Sequence, residues 1–272
     1  MSENAGQGQD PSVARGRWVR TADDALDLLD TLFDEAADRW SDRGGTAWWD
    51  TFYAHHERPV PFFRDAPDES LVAWQETGRL GVGPGTSVLE LGCGPGRNAV
   101  WLARQGARVH ALDLSPEALA WARERADAAG VDVRFERADV LRWTPPADGY
   151  DVVVDSGCFH HLPPHRRITY LALLRRALRP GGRFALACFA VGGPDGVTGT
   201  SAPDVDLYRS GSLGGGLAYT DDDLRAVFAE LTPVEIRRMR DLPDDATAFG
   251  RDFLWAALFE QPGGAEQRSG AR

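Results

Sequence analysis

Residues 88–98 read Val-Leu-Glu-Leu-Gly-Cys-Gly-Pro-Gly-Arg-Asn, a short apolar run that ends in Gly92-x-Gly94-x-Gly96. A buried strand breaking into a glycine turn and then a helix, over Ala99 to Gln105, has this form. Glycine tolerates positive φ and carries no Cβ, so a ligand can lie against the backbone there. Glu90 precedes the first glycine closely, and a second run, Arg108 to Leu112, ends in Asp113, 21 residues after Gly92. An acid at that distance reaches a ribose hydroxyl pair. The stretch points to an adenosine-type cofactor.

Outward from this turn the chain alternates. Strands are expected at Ser87–Leu91, Arg108–Leu112, Val131–Phe135, Asp151–Asp155 and Arg183–Phe189. Helices are expected over Arg97–Gln105, after the Ser115 cap with Pro116 at its first position and Gly130 beyond its end, and over His165–Leu178. Pro180-Gly181-Gly182 reads as a turn, Val191–Leu217 as a long aperiodic loop, and Asp221–Leu231 as a helix. Two late strands, Thr232–Met239 and Asp252–Phe259, have no helix between them and predict an antiparallel hairpin at one sheet edge. Strand–helix alternation means a doubly wound, mostly parallel α/β sheet, with ligands bound at the strand-end loops.

Upstream, Thr21 caps a helix expected to run to about Arg39, its apolar stripe Ala25, Leu28, Leu29, Leu32, Phe33 and Ala36, with Asp27, Asp30 and Asp34 on the other side. The segment from Trp48-Trp49 to Phe62-Phe63 is rich in aromatics and carries Pro59 and Pro61, which reads as too irregular for a strand and too proline-rich for a helix. It must cover an apolar surface, as a core flap or as a lid. Asp68 then starts a helix through Glu76, ended by Gly78. The expected organisation is a disordered tail over 1–16, a helix and aromatic lid over 17–69, one catalytic domain over 70–262, and a second tail over 263–272.

Composition narrows the function. The net charge of −11 argues against a phosphate-backbone partner, and the small clusters Arg175-Arg176 and Arg237-Arg238 read as solvated faces. All 30 basic residues are arginine, which excludes a Schiff-base or P-loop lysine. The three cysteines, Cys93, Cys158 and Cys188, lack paired spacing and read as reduced intracellular thiols. No signal-peptide core or membrane span is visible, so the expected location is cytoplasmic. A nicotinamide fingerprint would place its last glycine at position 97, where the chain has arginine.

With that option disfavoured, Glu90-x-Gly92-x-Gly94-x-Gly96 resembles motif I of the class I S-adenosylmethionine-dependent methyltransferases. Asp113 matches the acid that family sets on the ribose, and Arg137-Ala138-Asp139-Val140 the loop that holds adenine. Asp155-Ser156-Gly157-Cys158-Phe159-His160-His161-Leu162 matches the loop facing the reacting methyl, and Leu178-Arg179-Pro180-Gly181-Gly182 the turn before strand five. The resemblance covers about residues 70 to 260. It implies a Rossmann-like, seven-stranded methyltransferase fold binding S-adenosyl-L-methionine and releasing S-adenosyl-L-homocysteine. It implies cofactor contacts from Glu90, Gly92, Gly94, Gly96 and Asn98 on one side, and from Asp113, Leu114, Asp139, Val140 and Asp155 on the other. The Trp-rich lead-in, the Phe159-His160-His161 loop and Ser212-Leu213-Gly214-Gly215-Gly216 look similar to bacterial small-molecule methyltransferases of the thiopurine-, halide- and thiol-methylating kind.

The implied reaction is in-line methyl transfer to an O, N or S atom of a small molecule, in a site that places the nucleophile and excludes water. His160 or His161 is the candidate base, at most one of them facing the pocket if the segment is extended. Trp49, Tyr53, Phe159 and Arg209 are candidate substrate contacts, with Tyr208 and Tyr219 as weaker ones. Cys158-x-His160-His161-x3-His165 fits no standard zinc spacing, so no metal is expected. The chain is expected to work as a monomer or homodimer. The alternative is a protein of the same fold that keeps the cofactor for a non-methylating reaction or as a binding module.

Overall fold

A computed structural model describes residues 19–33, 38–193 and 198–263. The tails expected at either end lie outside these residues, apart from Gly263. Seven strands form one sheet in the order β3-β2-β1-β4-β5-β7-β6. They are β1 (Ser87–Leu91), β2 (Arg108–Asp113), β3 (Arg134–Arg137), β4 (Tyr150–Ser156), β5 (Leu178–Phe189), β6 (Thr232–Arg238) and β7 (Leu254–Glu260). The first five run parallel, and β7 lies antiparallel to both β5 and β6. The expected sheet and its antiparallel edge are both present. Strand order reverses between β1 and β4, and the crevice past their C-terminal ends is where such sheets bind ligands.

Eight helices cover the sheet among the described residues: α1 (Ala22–Asp30), α2 (Gly45–Tyr53), α3 (Glu69–Glu76), α4 (Arg97–Arg104), α5 (Pro116–Ala129), α6 (Arg166–Ala177), α7 (Asp204–Ser210) and α8 (Asp221–Val227). Alternation of side chains splits the core in two. Leu89, Leu91, Leu112 and Val153 pack with Tyr170 and Leu173 of α6 and Phe228 beyond α8. Val88, Val109, Ala111, Val152 and Val154 pack with Trp74 of α3 and Leu102 of α4.

Several expected boundaries move. β3 begins at Arg134 rather than Val131, α8 ends at Val227, and β5 already starts at Leu178, so that Gly181-Gly182 sits within it at a register shift. The aperiodic stretch 191–217 contains the short helix α7. α1 stops at Asp30, and the expected stripe holds only in part: Phe33, just beyond the helix, is buried and Ala25 and Leu29 are half-buried. Leu28 and Leu32 are exposed, while Leu26 and Asp30 are buried. Asp30 is drawn inward by charge. It accepts from Trp40 Nε1 at 3.0 Å, lies 2.8 Å from His165 Nε2, and pairs with Arg166 on α6. These partners hold its carboxyl down at about 2 against the cost of burial. Ala36 and Asp34 fall outside the described residues.

The aromatic segment is also helical in part. α2 ends at Tyr53, before either proline, and its rings pair at helical spacing. Trp48 stacks on Phe52 at 5.1 Å and Trp49 on Tyr53 at 5.7 Å. Pro61 then opens a single 3₁₀ turn, Pro61–Phe63. α2 docks on α5, where Asp50 accepts from Ser115 Oγ at 2.5 Å. Asp68 precedes α3 without capping it. It pairs with Arg97 at 2.7 Å and accepts from Asn98 Nδ2 at 3.1 Å, tying α3 to the glycine turn. Of the arginine clusters, Arg175 is exposed and pairs with Glu230, but Arg237 crosses to buried Glu69 at 2.6 Å and clamps β6 to α3.

Candidate active site

The tips of β1, β2 and β4 open into a cavity of about 340 Å³, within the range of about 300–1,000 Å³ usual for cofactor and ligand sites. At its inner end Gly92, Gly94 and Gly96 all have positive φ. A Cβ on Gly94 would meet the Tyr53 hydroxyl at 2.8 Å, and one on Gly96 would meet Ala122 of α5 at 2.8 Å. Gly94 lines the cavity, while Gly96 lies behind it as the packing joint of α4 on α5.

Glu90 and Asp113 share the sheet face of Val88 and Ala111, and both line the cavity. Burial pushes the Glu90 carboxyl up to about 8, and its Oε2 has no hydrogen-bond partner. Asp113 is pushed up to about 6 by burial, against the donors it meets: the Ser115 N–H at 2.9 Å and the Gly94 N–H at 2.8 Å. Leu114, Ala138 and Val140 form an apolar shelf beyond it. Asp139 sits under that shelf. Its Oδ1 accepts from the Leu141 N–H at 2.8 Å, its buried Oδ2 accepts no hydrogen bond, and burial pushes it to about 6. Asn98 reaches the cavity wall, but its amide is engaged by Asp68.

Asp155, expected among the cofactor contacts, faces the other way. It pairs with Leu91 in register and so points to the α6 side of the sheet. Its carboxylate accepts from Cys158 N–H at 2.9 Å, Phe159 N–H at 3.0 Å and Tyr170 Oη at 2.5 Å. It is the internal cap of the loop after β4. Phe159 is likewise core, stacked among Tyr170, Tyr219 and Phe228 with no exposure. Arg209 lies on the surface of α7, paired with Asp206 at 2.8 Å. Tyr208 bonds His165 at 3.0 Å. His165 therefore belongs to the α1 anchor and not to the histidine pair.

His160 and His161 both line the cavity, contrary to the expectation of one. They lie on a 3₁₀ turn, Phe159–His161, and not on an extended segment, and their ring centroids are 4.3 Å apart. His160 stacks on Phe189 at 3.8 Å, and His161 meets the edge of Trp49 at 5.1 Å. Burial lowers both imidazoles, His161 to about 4 with help from the Arg39 charge and His160 well below its usual range. Nδ1 of each is buried without a partner. The Cys158 thiol, also pushed up by burial, stays protonated beside them.

The outer wall is aromatic: Trp48, Trp49 and Phe52 from α2, Phe189 at the end of β5, and Phe249 and Phe253 before β7. Trp49 and Tyr53 were expected here. Arg39, Phe189, Phe249 and Phe253 were not, because nothing local in the sequence marks rings that converge from such distant segments.

Residues 88–182 match a family described as a methyltransferase domain. Methyltransferase GfsG of Streptomyces halstedii is 36% identical over 118 residues, 42% of this chain and 42% of that protein. The 27-O-demethylrifamycin SV methyltransferase of Amycolatopsis mediterranei is 30% identical over 194 residues, 70% of this chain and 63% of that protein. The chain thus spans less than two thirds of the length of these relatives. Among solved structures, the 1,6-didemethyltoxoflavin N1-methyltransferase of Burkholderia thailandensis, with S-adenosylhomocysteine bound, is 26% identical with a TM-score of 0.52, covering 91% of this chain and 93% of that one. A second, reported for conversion of a disulfide bond into a thioacetal group during echinomycin biosynthesis, is 28% identical with a TM-score of 0.61, covering 82% and 95%. The chain shares its fold with these two structures, one of which holds S-adenosylhomocysteine. Within that fold the glycine turn and Asp113 form the inner end of the cleft, and the histidine pair with its aromatic wall the outer end. No helix among the described residues is long and apolar enough to cross a membrane.

Proposed function

We propose that the protein transfers the methyl group of S-adenosylmethionine to an O, N or S atom of a small, flat, largely apolar molecule. One observation carries this reading: a single cavity joins two strand-tip acids at a glycine turn to a ring-lined chamber holding two neutral histidines. The inner end suits the cofactor. Asp113 would hold the ribose and the Leu114–Val140 shelf the adenine, with Asp139 buried beneath that shelf and its Oδ2 3.7 Å from Arg142 Nε. Glu90, whose buried Oε2 has no hydrogen-bond partner, would lie toward the ammonium end. Bound there, the cofactor supplies a methyl carbon made electrophilic by its sulfonium.

The protein's own contribution is placement and exclusion of water by the α2 lid. The histidines take the proton. An imidazole near 4 is too weak to ionise a phenol beforehand, yet it readily accepts the proton of an alkylated oxygen or sulfur centre. Being neutral, it adds no further cation beside the sulfonium. Of the acceptors implied by the thiopurine, halide and thiol resemblance, a flat heteroaromatic thiol or amine suits these walls. The acidic surface favours a free small molecule over nucleic acid, a cytoplasmic setting, and a monomer or homodimer. The test is methyl transfer from labelled S-adenosylmethionine to a panel of aromatic thiols, phenols and amines. Tight S-adenosylhomocysteine binding without transfer to any of them would leave a binding or non-methylating protein instead.

A further inference from the structure

The lid helix α2 reaches the glycine turn as well as the ring-lined chamber. Tyr53, its last residue, lays the end of its phenol on Gly94: a Cβ there would meet the hydroxyl at 2.8 Å and Cζ at 3.4 Å. The N–H of the same glycine donates to Asp113 at 2.8 Å, so the hydroxyl and the strand-tip acid meet at one residue of the turn. On its other side the Tyr53 ring stacks on Trp49 at 5.7 Å, and Trp49 lies against His161 at 5.1 Å. Asp113, Gly94, Tyr53, Trp49 and His161 form one chain of contacts from the inner end of the cleft to the outer. Tyr53 lines the cavity, and its hydroxyl makes no hydrogen bond among the described residues. A phenol with a pKa of about 10 keeps its proton there and has a donor to give. A second tie leaves α2 one turn earlier. Ser115 spends its N–H on Asp113 at 2.9 Å and its hydroxyl on Asp50 at 2.5 Å. The loop after β2 thus holds both the strand-tip acid and the lid.

We propose that Tyr53 is a cofactor contact and not an acceptor contact: its hydroxyl donates to an oxygen of S-adenosylmethionine where the cofactor crosses the glycine turn, and this bond holds α2 closed over the cleft. This rests on the methyltransferase reading. A ligand shifts a conformational equilibrium only by its difference in affinity for the two states. The Tyr53 hydroxyl supplies that difference, because it reaches the cofactor only when α2 is closed, and the Asp50–Ser115 bond sets the closed position. Trp48, Trp49 and Phe52 ride on the same helix, so the acceptor chamber takes its shape once the cofactor is in place.

Tyr53→Phe removes the hydroxyl and keeps the ring, so the packing of the lid survives, and no acceptor is needed for the test. Calorimetry should show S-adenosylhomocysteine, which carries the same oxygens, binding about tenfold more weakly than to the native protein, the worth of one hydrogen bond to a polar or charged group. Hydrogen exchange reads the lid itself. Saturating S-adenosylhomocysteine should slow exchange of the α2 amides by about tenfold in the native protein, the ratio of closed to open affinities, and by less than about twofold in Tyr53→Phe. A side chain that only packs would move neither readout. Native affinity in the variant, an equal gain of protection, or native α2 exchange that ignores the ligand overturns the proposal. Absence of S-adenosylhomocysteine binding to the native protein sinks the methyltransferase reading, whereas native-strength binding by Tyr53→Phe sinks only this one.

Discussion

The two ends of the cleft are made of different material. The inner end is backbone and carboxylate carried on sheet tips: glycines with positive φ, Glu90 and Asp113, each within one turn of a strand end. The outer end is rings brought from α2, the loop after β4, the end of β5 and the segment before β7. Rigid strands can fix an acid against a sugar with few residues. A chamber for an arbitrary acceptor needs many segments, each free to vary. The same contrast exists within the sheet. Asp113 and Asp155 are both buried strand-end acids, both pushed up to about 6 by burial, yet one opens to the cavity and the other is spent on the protein.

That pair gives the largest expected effect. Asp155→Ala leaves the Tyr170 hydroxyl and two loop amides without an acceptor. It should lower unfolding free energy by about 3 kcal/mol in denaturant titration, with cofactor affinity in the surviving folded protein nearly unchanged. A large loss of affinity at unchanged stability would erase the distinction. Asp113→Ala should do the reverse, weakening S-adenosylhomocysteine binding by about 100-fold through two lost charge-assisted hydrogen bonds. Native affinity would place the ribose elsewhere.

Protonation sharpens the inner end further. The Glu90 carboxyl stands near 8 in the fold against an ordinary value of 4.5, so the native state holds its proton longer than the unfolded chain does. Its contribution to stability is complete below about pH 4.5 and is lost as pH rises through 8, on the order of 1 kcal/mol per pH unit between 6 and 8. A cationic cofactor favours the ionised form, so S-adenosylmethionine should bind more tightly at pH 8 than at pH 6. Calorimetry showing the opposite slope would remove Glu90 from the ammonium end. The smallest effect belongs to the surface: Arg209→Ala, which loses an exposed pair with Asp206, should leave turnover and melting temperature unchanged.

What could be read beforehand follows the same division. The β–glycine–α unit and the acid ending β2 depend on local order and spacing, and the structure places Glu90, Gly92, Gly94, Asp113, Leu114 and Val140 at the cavity as expected. Asp155 could not be sorted, because Val152-Val153-Val154 is apolar on both faces and hides which side the next acid takes. Asp30 was misplaced because its burial depends on Arg166, remote in sequence. α2 was legible after all, since Trp48, Trp49, Phe52 and Tyr53 repeat at helical spacing, but the later prolines drew the reading away from a helix. Phe189, Phe249 and Phe253 carry no local signal, so the aromatic chamber emerges only from the tertiary fold.

The most direct measurement is a crystal structure with S-adenosylhomocysteine bound. The account predicts both ribose hydroxyls on the Asp113 carboxylate and the sulfur facing the chamber walled by His160, His161 and Trp49. A ribose remote from Asp113, or a sulfur sealed off from the histidine pair, would contradict it.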